Sequence, residues 1–282
     1  MLMGFAQSSQ RGRSWFNHRK RLQTKQWLAL ITAVSTLNAL RHLQQVHRIS
    51  PIRVADTLSS ARTPPFVVFP QYWQPQKVDR LLVEVQRGIG ACHQIAEGAL
   101  NYRRMGMDEN KRDFPLAHEL ANDKYMSGIV KHYIGRRVNA KAQGGITLLH
   151  GDSGGGWHQD KISKGIKAMM YLTDVTDSSG PFQMLLHYNS TSLQPKFDRK
   201  GRKTRFSDES IAEQVENGAF IVPIVGKKGT LVIFEVSNVH RGAPASREAR
   251  TSMTIYYDTD AESAHCSGSN VYSDVRLDIE DL

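Results

Sequence analysis

The amino-acid sequence predicts a mainly β protein with supporting α-helices, folded as a double-stranded β-helix of the jelly-roll or cupin-like kind. From about residue 125 onward, short apolar runs follow one another, and turn-forming clusters such as GDSGGG and TDSSG separate them. No long helical pattern stands between successive runs, so parallel βαβ winding is not expected. Helices followed by many short strands indicate a helical support packed on an antiparallel barrel.

Seven runs are predicted to be strands. They are IVKHYI (129–134), GITLLH (145–150), KAMMYLTDV (167–175), PFQMLLHY (181–188), AFIVPIV (219–225), GTLVIFEV (229–236) and RTSMTIYYD (250–258). A helical pattern over residues 208–218 interrupts them. The jelly-roll core is therefore expected over about residues 125–260.

A long amphipathic helix is predicted over residues 77–105, ahead of the strands. Its apolar residues step by three and four: Val78, Leu81, Leu82, Val85, Ile89, Cys92, Ile95 and Ala99. The stretch 63–76 is punctuated by prolines, which is typical of a domain entry. Two parts are thus expected, a basic N-terminal extension over 1–62 and a main folded domain over 63–282.

Most of the positive charge lies in the extension. The whole chain of 282 residues carries a net charge of +10. Residues 1–60 contain nine Lys and Arg against one acid, a balance of +8 that leaves +2 for the rest of the chain. The main domain is therefore nearly neutral, and nucleic acid is not its expected partner.

The extension contains an uncharged apolar segment, QWLALITAVSTLNAL, at residues 26–40. Its length falls short of the ~20 residues that a membrane-spanning helix needs, and its spacing predicts an amphipathic helix. Three roles stay open: a helix packed on the domain, a membrane-surface or signal-anchor segment, and a processed segment. Cys92 and Cys266 form no C-x-x-C pair, which is compatible with a cytoplasmic location, with membrane association through residues 26–40 as the alternative.

A candidate metal site begins in the stretch GGGWHQDK, residues 154–161. In an extended segment His158 and Asp160 project to the same face, so both side chains can reach one cation. An imidazole and a carboxylate without a thiolate suit a cation such as Fe(II) or Mn(II). By itself, a His-x-Asp pair after a glycine run also fits a solvated polar turn.

A third ligand is available in His240, which follows the predicted strand 229–236. With His158 and Asp160 it completes a facial triad that leaves three coordination positions open. An iron oxygenase would need these positions, two for a chelating cosubstrate and one for O2. Arg250 shares a strand face with Ser252, and a guanidinium and a hydroxyl together can hold a carboxylate. Alone, Arg250 would be expected to form an ordinary salt bridge.

Three segments then resemble the Fe(II)/2-oxoglutarate-dependent dioxygenases, and within them the phytanoyl-CoA dioxygenase-like group. They are WHQD (157–160), KAMMYLTDVTDSSGPF (167–182) and GTLVIFEVSNVHRGAPASREARTSM (229–253). The resemblance implies that His158, Asp160 and His240 bind Fe(II), and that Arg250 with Ser252 holds the distal carboxylate of 2-oxoglutarate. It also implies O2-dependent decarboxylation of 2-oxoglutarate to succinate and CO2, coupled to hydroxylation of an aliphatic C–H of a small-molecule or lipid-like substrate.

Individual residues indicate which branches of the superfamily the chain resembles less. Tyr256 stands where the nucleic-acid-demethylating branch has a second arginine, and Asp160 disfavours the halogenating variants. Prolyl hydroxylases usually have a lysine in place of Arg250, so modification of protein proline is a weaker alternative. A non-catalytic jelly-roll module that binds a metal or a sugar is the alternative from a different class.

A basic segment, KFDRKGRKTR at residues 196–205, carries six basic residues against one acid. It is expected to be a solvated surface loop. The functional alternative is a lid that attracts an anionic small-molecule substrate.

Overall fold

Two antiparallel β-sheets face each other and enclose the main hydrophobic core. The computed structural model describes residues 50–59, 65–90, 102–106, 112–135, 139–152, 155–161, 165–193 and 202–258. These residues contain the segments that the sequence assigned to the metal and cosubstrate sites. The predicted helix over 26–40 and residues 196–201 of the basic segment lie outside the described residues.

The strands form a six-stranded first sheet and a five-stranded second sheet. They are β1 (Phe66–Phe69), β2 (Tyr102–Gly106), β3 (Asn139–Thr147), β4 (Trp157–Lys161), β5 (Ile166–Tyr171), β6 (Phe182–Leu186), β7 (Arg202–Phe206), β8 (Phe220–Ile224), β9 (Leu231–Glu235), β10 (His240–Gly242) and β11 (Arg250–Asp258). The order is β1-β9-β5-β11-β3-β2 in the first sheet and β7-β4-β10-β6-β8 in the second.

The chain passes back and forth between the two sheets. β3, β5, β9 and β11 lie in the first sheet, whereas β4, β6, β8 and β10 lie in the second. Side chains from both sheets meet in one buried cluster: Met169, Tyr171, Val175, Phe182, Met184, Leu186, Val222, Ile224, Val232 and Phe234. This arrangement is the double-stranded β-helix that the sequence predicts, and the fold class is confirmed.

Five described helices accompany the sheets. They are α1 (Pro51–Ser59), α2 (Pro75–Gly90), α3 (Pro115–Ala121), α4 (Lys124–Ile134) and α5 (Asp208–Glu216). The predicted apolar face of α2 is buried, since Val78, Leu81, Val85 and Ile89 are each 0% exposed. Helix α5 corresponds to the helical pattern predicted over 208–218, with Ser207 as an N-cap that accepts a hydrogen bond from the Ser210 amide.

The prediction of a strand over residues 129–134 is wrong, because these residues complete helix α4. The Asp123 side chain accepts hydrogen bonds from the amides of Tyr125 and Met126 and so caps the start of the helix. Gly135 ends it in the left-handed conformation, with φ 78°. A window of six residues is too short to separate a buried helix from a strand by its periodicity.

The sheet also begins earlier than predicted. Residues 102–106, which the periodicity assigned to the helix over 77–105, form β2 and pair with β3 from Tyr102 opposite Thr147. Within the described residues α2 ends at Gly90. β1 lies inside the proline-punctuated stretch and pairs with β9 from Phe66 opposite Phe234. β1 and β2 are strands because they pair with segments that are distant in the sequence. The local periodicity of a segment carries no information about such pairing.

Helix α1 is the described part of the region assigned to the N-terminal extension. Val54, Ala55 and Leu58 are buried, and Pro51 lies close to Gly128 of α4. The domain boundary between residues 62 and 63 stays a prediction. Among the described residues no helix is long and apolar enough to cross a membrane. The cytoplasmic location and the membrane contact of residues 26–40 also stay predictions.

Candidate metal and cosubstrate site

The His-x-Asp segment lies on β4, and glycines lead into it. Gly155 and Gly156 have φ values of 66° and 88°, a conformation that favours glycine and turns the chain directly into the strand. His158 and Asp160 then point to the same side, as their spacing predicts, with side chains 6% and 15% exposed. The glycine run therefore serves the entry into the strand.

His240 reaches the same place from β10. This strand lies between β4 and β6, with His240 directly opposite His158 on one side and Met184 on the other. The two imidazole centroids are 4.4 Å apart. The rings of Phe182 and Phe234 lie 5.5 Å and 5.2 Å from the His240 ring and cover it on the side of the core.

Backbone carbonyls orient both imidazoles. His158 Nδ1 lies 2.8 Å from the carbonyl oxygen of Gly156, and His240 Nδ1 lies 2.7 Å from that of Asn238. A carbonyl oxygen only accepts, so Nδ1 carries the proton in each ring and Nε2 carries the free lone pair. Both Nε2 atoms therefore face Asp160 as donors to a metal, and hydrogen bonds of this kind are the usual support of histidine ligands.

The distances fit a single cation. Nε2 of His240 is 3.2 Å from Asp160 Oδ2, and Nε2 of His158 is 3.7 Å from Asp160 Oδ1. One donor atom from each of the three residues lies within 4.8 Å of the others. Ligand atoms about 2 Å from a metal and at right angles lie about 3 Å apart, so only a small adjustment is needed. Two imidazoles and one carboxylate suit Fe(II).

The charge of Asp160 is set by its neighbours. Burial by itself would raise the pKa of the Asp160 carboxyl, but the ammonium of Lys167 beside it lowers this pKa well below its usual value. Lys167 Nζ donates to Asp160 Oδ2 over 2.7 Å. The carboxyl is therefore ionised and ready to act as a ligand.

The turn between β9 and β10 holds the carbonyl that orients His240. Glu235, which is buried, accepts hydrogen bonds from the Ser237 amide and hydroxyl and from Asn238 Nδ2 at 2.6 Å. Gln159 donates to the Ser237 carbonyl oxygen at 2.6 Å. These bonds lock the turn, so that the Asn238 carbonyl is in place for His240 Nδ1.

Arg250 lies at the start of β11 and is 0% exposed. Its guanidinium donates to the Gly180 carbonyl oxygen, and Nη2 lies 3.4 Å from Thr147 Oγ1. A Cβ on Gly180 would lie 2.6 Å from the Ala243 carbonyl oxygen, so glycine is needed where Arg250 finds its acceptor. Ser252 is buried on the same strand, paired with Gly145 on one side and Tyr171 on the other.

Sequence reasoning missed Lys167 and Glu235. Lys167 opens an otherwise apolar run, where a single charge is typical of a solvated strand end. Glu235 closes another such run. Neither residue has a spacing that indicates a metal site, because their contacts depend on strand pairing and turn geometry.

Comparison with known proteins decides the family. The profile described as phytanoyl-CoA dioxygenase (PhyH) matches residues 66–252, which include the triad, Arg250 and Ser252. The chain belongs to the phytanoyl-CoA dioxygenase family. It is therefore an Fe(II)- and 2-oxoglutarate-dependent dioxygenase, and the predicted set of Fe(II), 2-oxoglutarate and O2 is confirmed. No curated protein shows significant sequence similarity to it.

Solved structures with low sequence identity share the fold of this dioxygenase. The epimerase SnoN, in complex with Fe3+, alpha-ketoglutarate and nogalamycin RO, is 16% identical with a TM-score of 0.55, over 74% of this chain and 83% of SnoN. A Pseudomonas putida prolyl-4-hydroxylase is 15% identical with a TM-score of 0.52, over 75% and 100% of the two chains. HygX from Streptomyces hygroscopicus, with nickel, 2-oxoglutarate and hygromycin B, is 16% identical with a TM-score of 0.51, over 73% and 87%.

Proposed function

We propose that this dioxygenase hydroxylates an aliphatic C–H of a small-molecule or lipid-like substrate. In this proposal His158, Asp160 and His240 hold Fe(II). Arg250, with Ser252, binds the distal carboxylate of 2-oxoglutarate. The single observation that carries the proposal is the convergence of two Nε2 lone pairs on the Asp160 carboxylate, with both Nδ1 protons bound to backbone carbonyls.

The residues around the triad have complementary tasks. A guanidinium in a dry environment binds a carboxylate through two parallel hydrogen bonds, and the burial of Arg250 strengthens this interaction. Phe182 and Phe234 keep water away from the core side of His240. Fe(II), when bound by the triad, would activate O2, and the reduction of O2 would be coupled to the oxidative decarboxylation of 2-oxoglutarate to succinate and CO2.

The proposed substrate is a small molecule, like the nogalamycin RO bound to SnoN and the hygromycin B bound to HygX. An anionic group on the substrate would be attracted by the basic segment 196–205. In support, the described end of this segment, in β7, pairs directly with β4, and Arg205 lies opposite His158. Arg205 also donates to the Gly155 carbonyl oxygen at the entry to β4.

Anaerobic titration of the metal-free protein with Fe(II) and 2-oxoglutarate tests the triad. The wild-type protein is expected to develop the weak visible charge-transfer band of an Fe(II)–2-oxoglutarate chelate. His240→Ala removes one of three ligands and should abolish the band. His132→Ala, at an exposed position on α4, is the matched control and should leave the band unchanged.

Equal bands in wild type and His240→Ala would overturn the assignment of the triad. No binding of 2-oxoglutarate by the wild-type protein, and no succinate formation, would favour the non-catalytic jelly-roll module. A succinate-release screen then identifies the substrate class. It should include matched neutral and anionic small molecules, which test the preference for an anionic group. It should also include a proline-containing peptide, because turnover of the peptide would indicate prolyl hydroxylation and not hydroxylation of a small molecule.

A further inference from the structure

The carboxylate of Asp160 forms an ion pair across the space between the two sheets. Asp160 belongs to β4 of the second sheet, and its partner Lys167 belongs to β5 of the first sheet. Nζ lies 2.7 Å from Oδ2, and the two side chains are only 13% and 15% exposed. A lysine ammonium that is largely removed from water lies beside the side chain that the proposed function assigns to the metal.

An aromatic ring also contacts this ammonium. Lys167 Nζ lies 4.4 Å from the centroid of the Tyr256 ring. The two residues are direct neighbours on β5 and β11. A ring face attracts a cation that has lost part of its water shell. The ammonium thus contacts both a ring and a carboxylate, and the two contacts together restrict where Nζ lies.

Other ion pairs of the same length are of a different kind. Lys227 and Asp174 also approach to 2.7 Å, but their side chains are 75% and 47% exposed. Exposed pairs contribute little to stability, and a desolvated pair often stabilises a fold no better than apolar residues would. Stability alone therefore gives no reason for a desolvated lysine at this position.

We propose that Lys167 is the positioning residue of the metal-binding carboxylate. Its hydrogen bond to Oδ2 occupies a lone pair of that oxygen and fixes the orientation of the carboxylate, so that the carboxylate binds a metal through one oxygen and not through both. The carboxylate then takes one coordination position, and three of six positions stay open. A carboxylate bound through both oxygens would take a fourth, leaving too few for a chelating 2-oxoglutarate and O2 together. This inference rests on the proposed function, because it requires the triad to hold the metal.

Titration with Co2+ tests the inference without turnover, because the visible spectrum of bound Co2+ reports its coordination number. The full chain is titrated first with Co2+ and then with 2-oxoglutarate. Lys167→Met keeps the length of the side chain but not its charge. It should bind Co2+ with an altered spectrum and bind 2-oxoglutarate about 10- to 100-fold more weakly. Lys167→Arg should restore the wild-type spectrum, and Lys227→Met, the matched control, should behave as wild type.

A second pair of variants keeps the test decisive if Lys167→Met does not fold. Tyr256→Leu removes the ring and should shift the Co2+ spectrum in the same direction, whereas Tyr256→Phe keeps the ring and should not. A Lys167→Met protein with a lower melting temperature, but with the same Co2+ spectrum and the same 2-oxoglutarate affinity as Lys227→Met, would overturn the inference about Lys167. That result would leave the assignment of the triad intact. If wild type and His240→Ala bind Co2+ equally, the triad and the inference are both overturned.

Discussion

Arg250 combines complete burial with two neutral acceptors, the Gly180 carbonyl oxygen and the Thr147 hydroxyl. A guanidinium offers five N–H donors in a planar fork, so it can keep these contacts and still bind an incoming carboxylate. A lysine ammonium in this position would have fewer donors and no fork. Binding of a carboxylate at this position is therefore expected to need the guanidinium of arginine, and not only a positive charge.

Arg250→Lys is expected to weaken binding of 2-oxoglutarate to the metal-loaded protein by about 100-fold, because the paired hydrogen bonds to the carboxylate are lost. The amount of metal bound without 2-oxoglutarate should not change. Calorimetric titration with each ligand measures both quantities. Arg247→Lys, at an exposed position nearby, is the control. Equal affinities of Arg250→Lys and this control would show that Arg250 is not the anchor.

Sequence patterns predicted the site residues whose positions depend on local strand structure, and they missed a residue whose contact depends on the packing of the two sheets. His158 and Asp160 follow from strand alternation, and His240 and Arg250 follow from their order relative to predicted strands. Lys167 meets Asp160 only because β5 and β4 lie in facing sheets. No local spacing records that distance.

Among the elements, α3 is a short helix whose N-terminus is capped by another helix. Its own N-cap residue, Phe114, provides no side-chain hydrogen bond. Instead, the buried carboxylate of Glu84 on α2 accepts from the amides of Leu116 at 3.1 Å and Ala117 at 3.2 Å. A negative charge is favourable at the start of a helix, where amides lack partners.

Glu84→Ala is expected to lower the free energy of unfolding by about 1–3 kcal/mol, because it leaves buried amides without an acceptor. Urea unfolding measures the change. Glu119→Ala breaks only the Lys77–Glu119 pair, in which the side chains are 30% and 56% exposed, and should cost less than about 1 kcal/mol. If both variants lose the same small amount, the cap does not stabilise the helix.

Element type was predictable where a segment had both a period and clear ends. The buried face of α2 follows from its period of three and four, and β5, β6, β8, β9 and β11 follow from short apolar runs between turns. β7 and β10 were not predicted, and residues 202–205 of the expected surface loop form a strand instead. α4 was misassigned, although its N-cap Asp123 and its terminal Gly135 are both visible in the sequence. Those two signals outweigh the composition of the six residues between 129 and 134.

Across the whole molecule, burial of tyrosines links stability to alkaline pH. Burial raises the pKa of Tyr125 and of Tyr171 to about 12, and raises the pKa of Tyr72, Tyr133 and Tyr257 further. In the unfolded chain a tyrosine titrates near pH 10. Because the folded pKa values are the higher ones, this contribution to stability is complete below about pH 10 and is lost as the pH rises towards 12.

The free energy of unfolding is therefore expected to fall between pH 10 and pH 12, by about 1 kcal/mol per pH unit from the fully buried Tyr171 alone. Melting temperatures measured at half-unit steps of pH test this. Tyr171→Phe should be less stable at neutral pH, because the bond to the Ile224 carbonyl oxygen is lost, but its decline above pH 10 should be shallower. An unchanged slope would contradict the expectation.

The sequence by itself determined the class of fold, the order of most strands, and which residues could bind a metal and a carboxylate. These features depend on short-range rules, since alternation fixes which side chains share a face and turn residues mark where strands end. The tertiary structure decided that β1 and β2 join the first sheet, that Glu84 caps α3, and that Lys167 pairs with Asp160. β1 and β2 pair with β9 and β3 inside the first sheet, Glu84 joins two helices, and Lys167 reaches Asp160 across the two sheets. Each contact depends on how the elements are placed in three dimensions, which the local patterns of the sequence do not record.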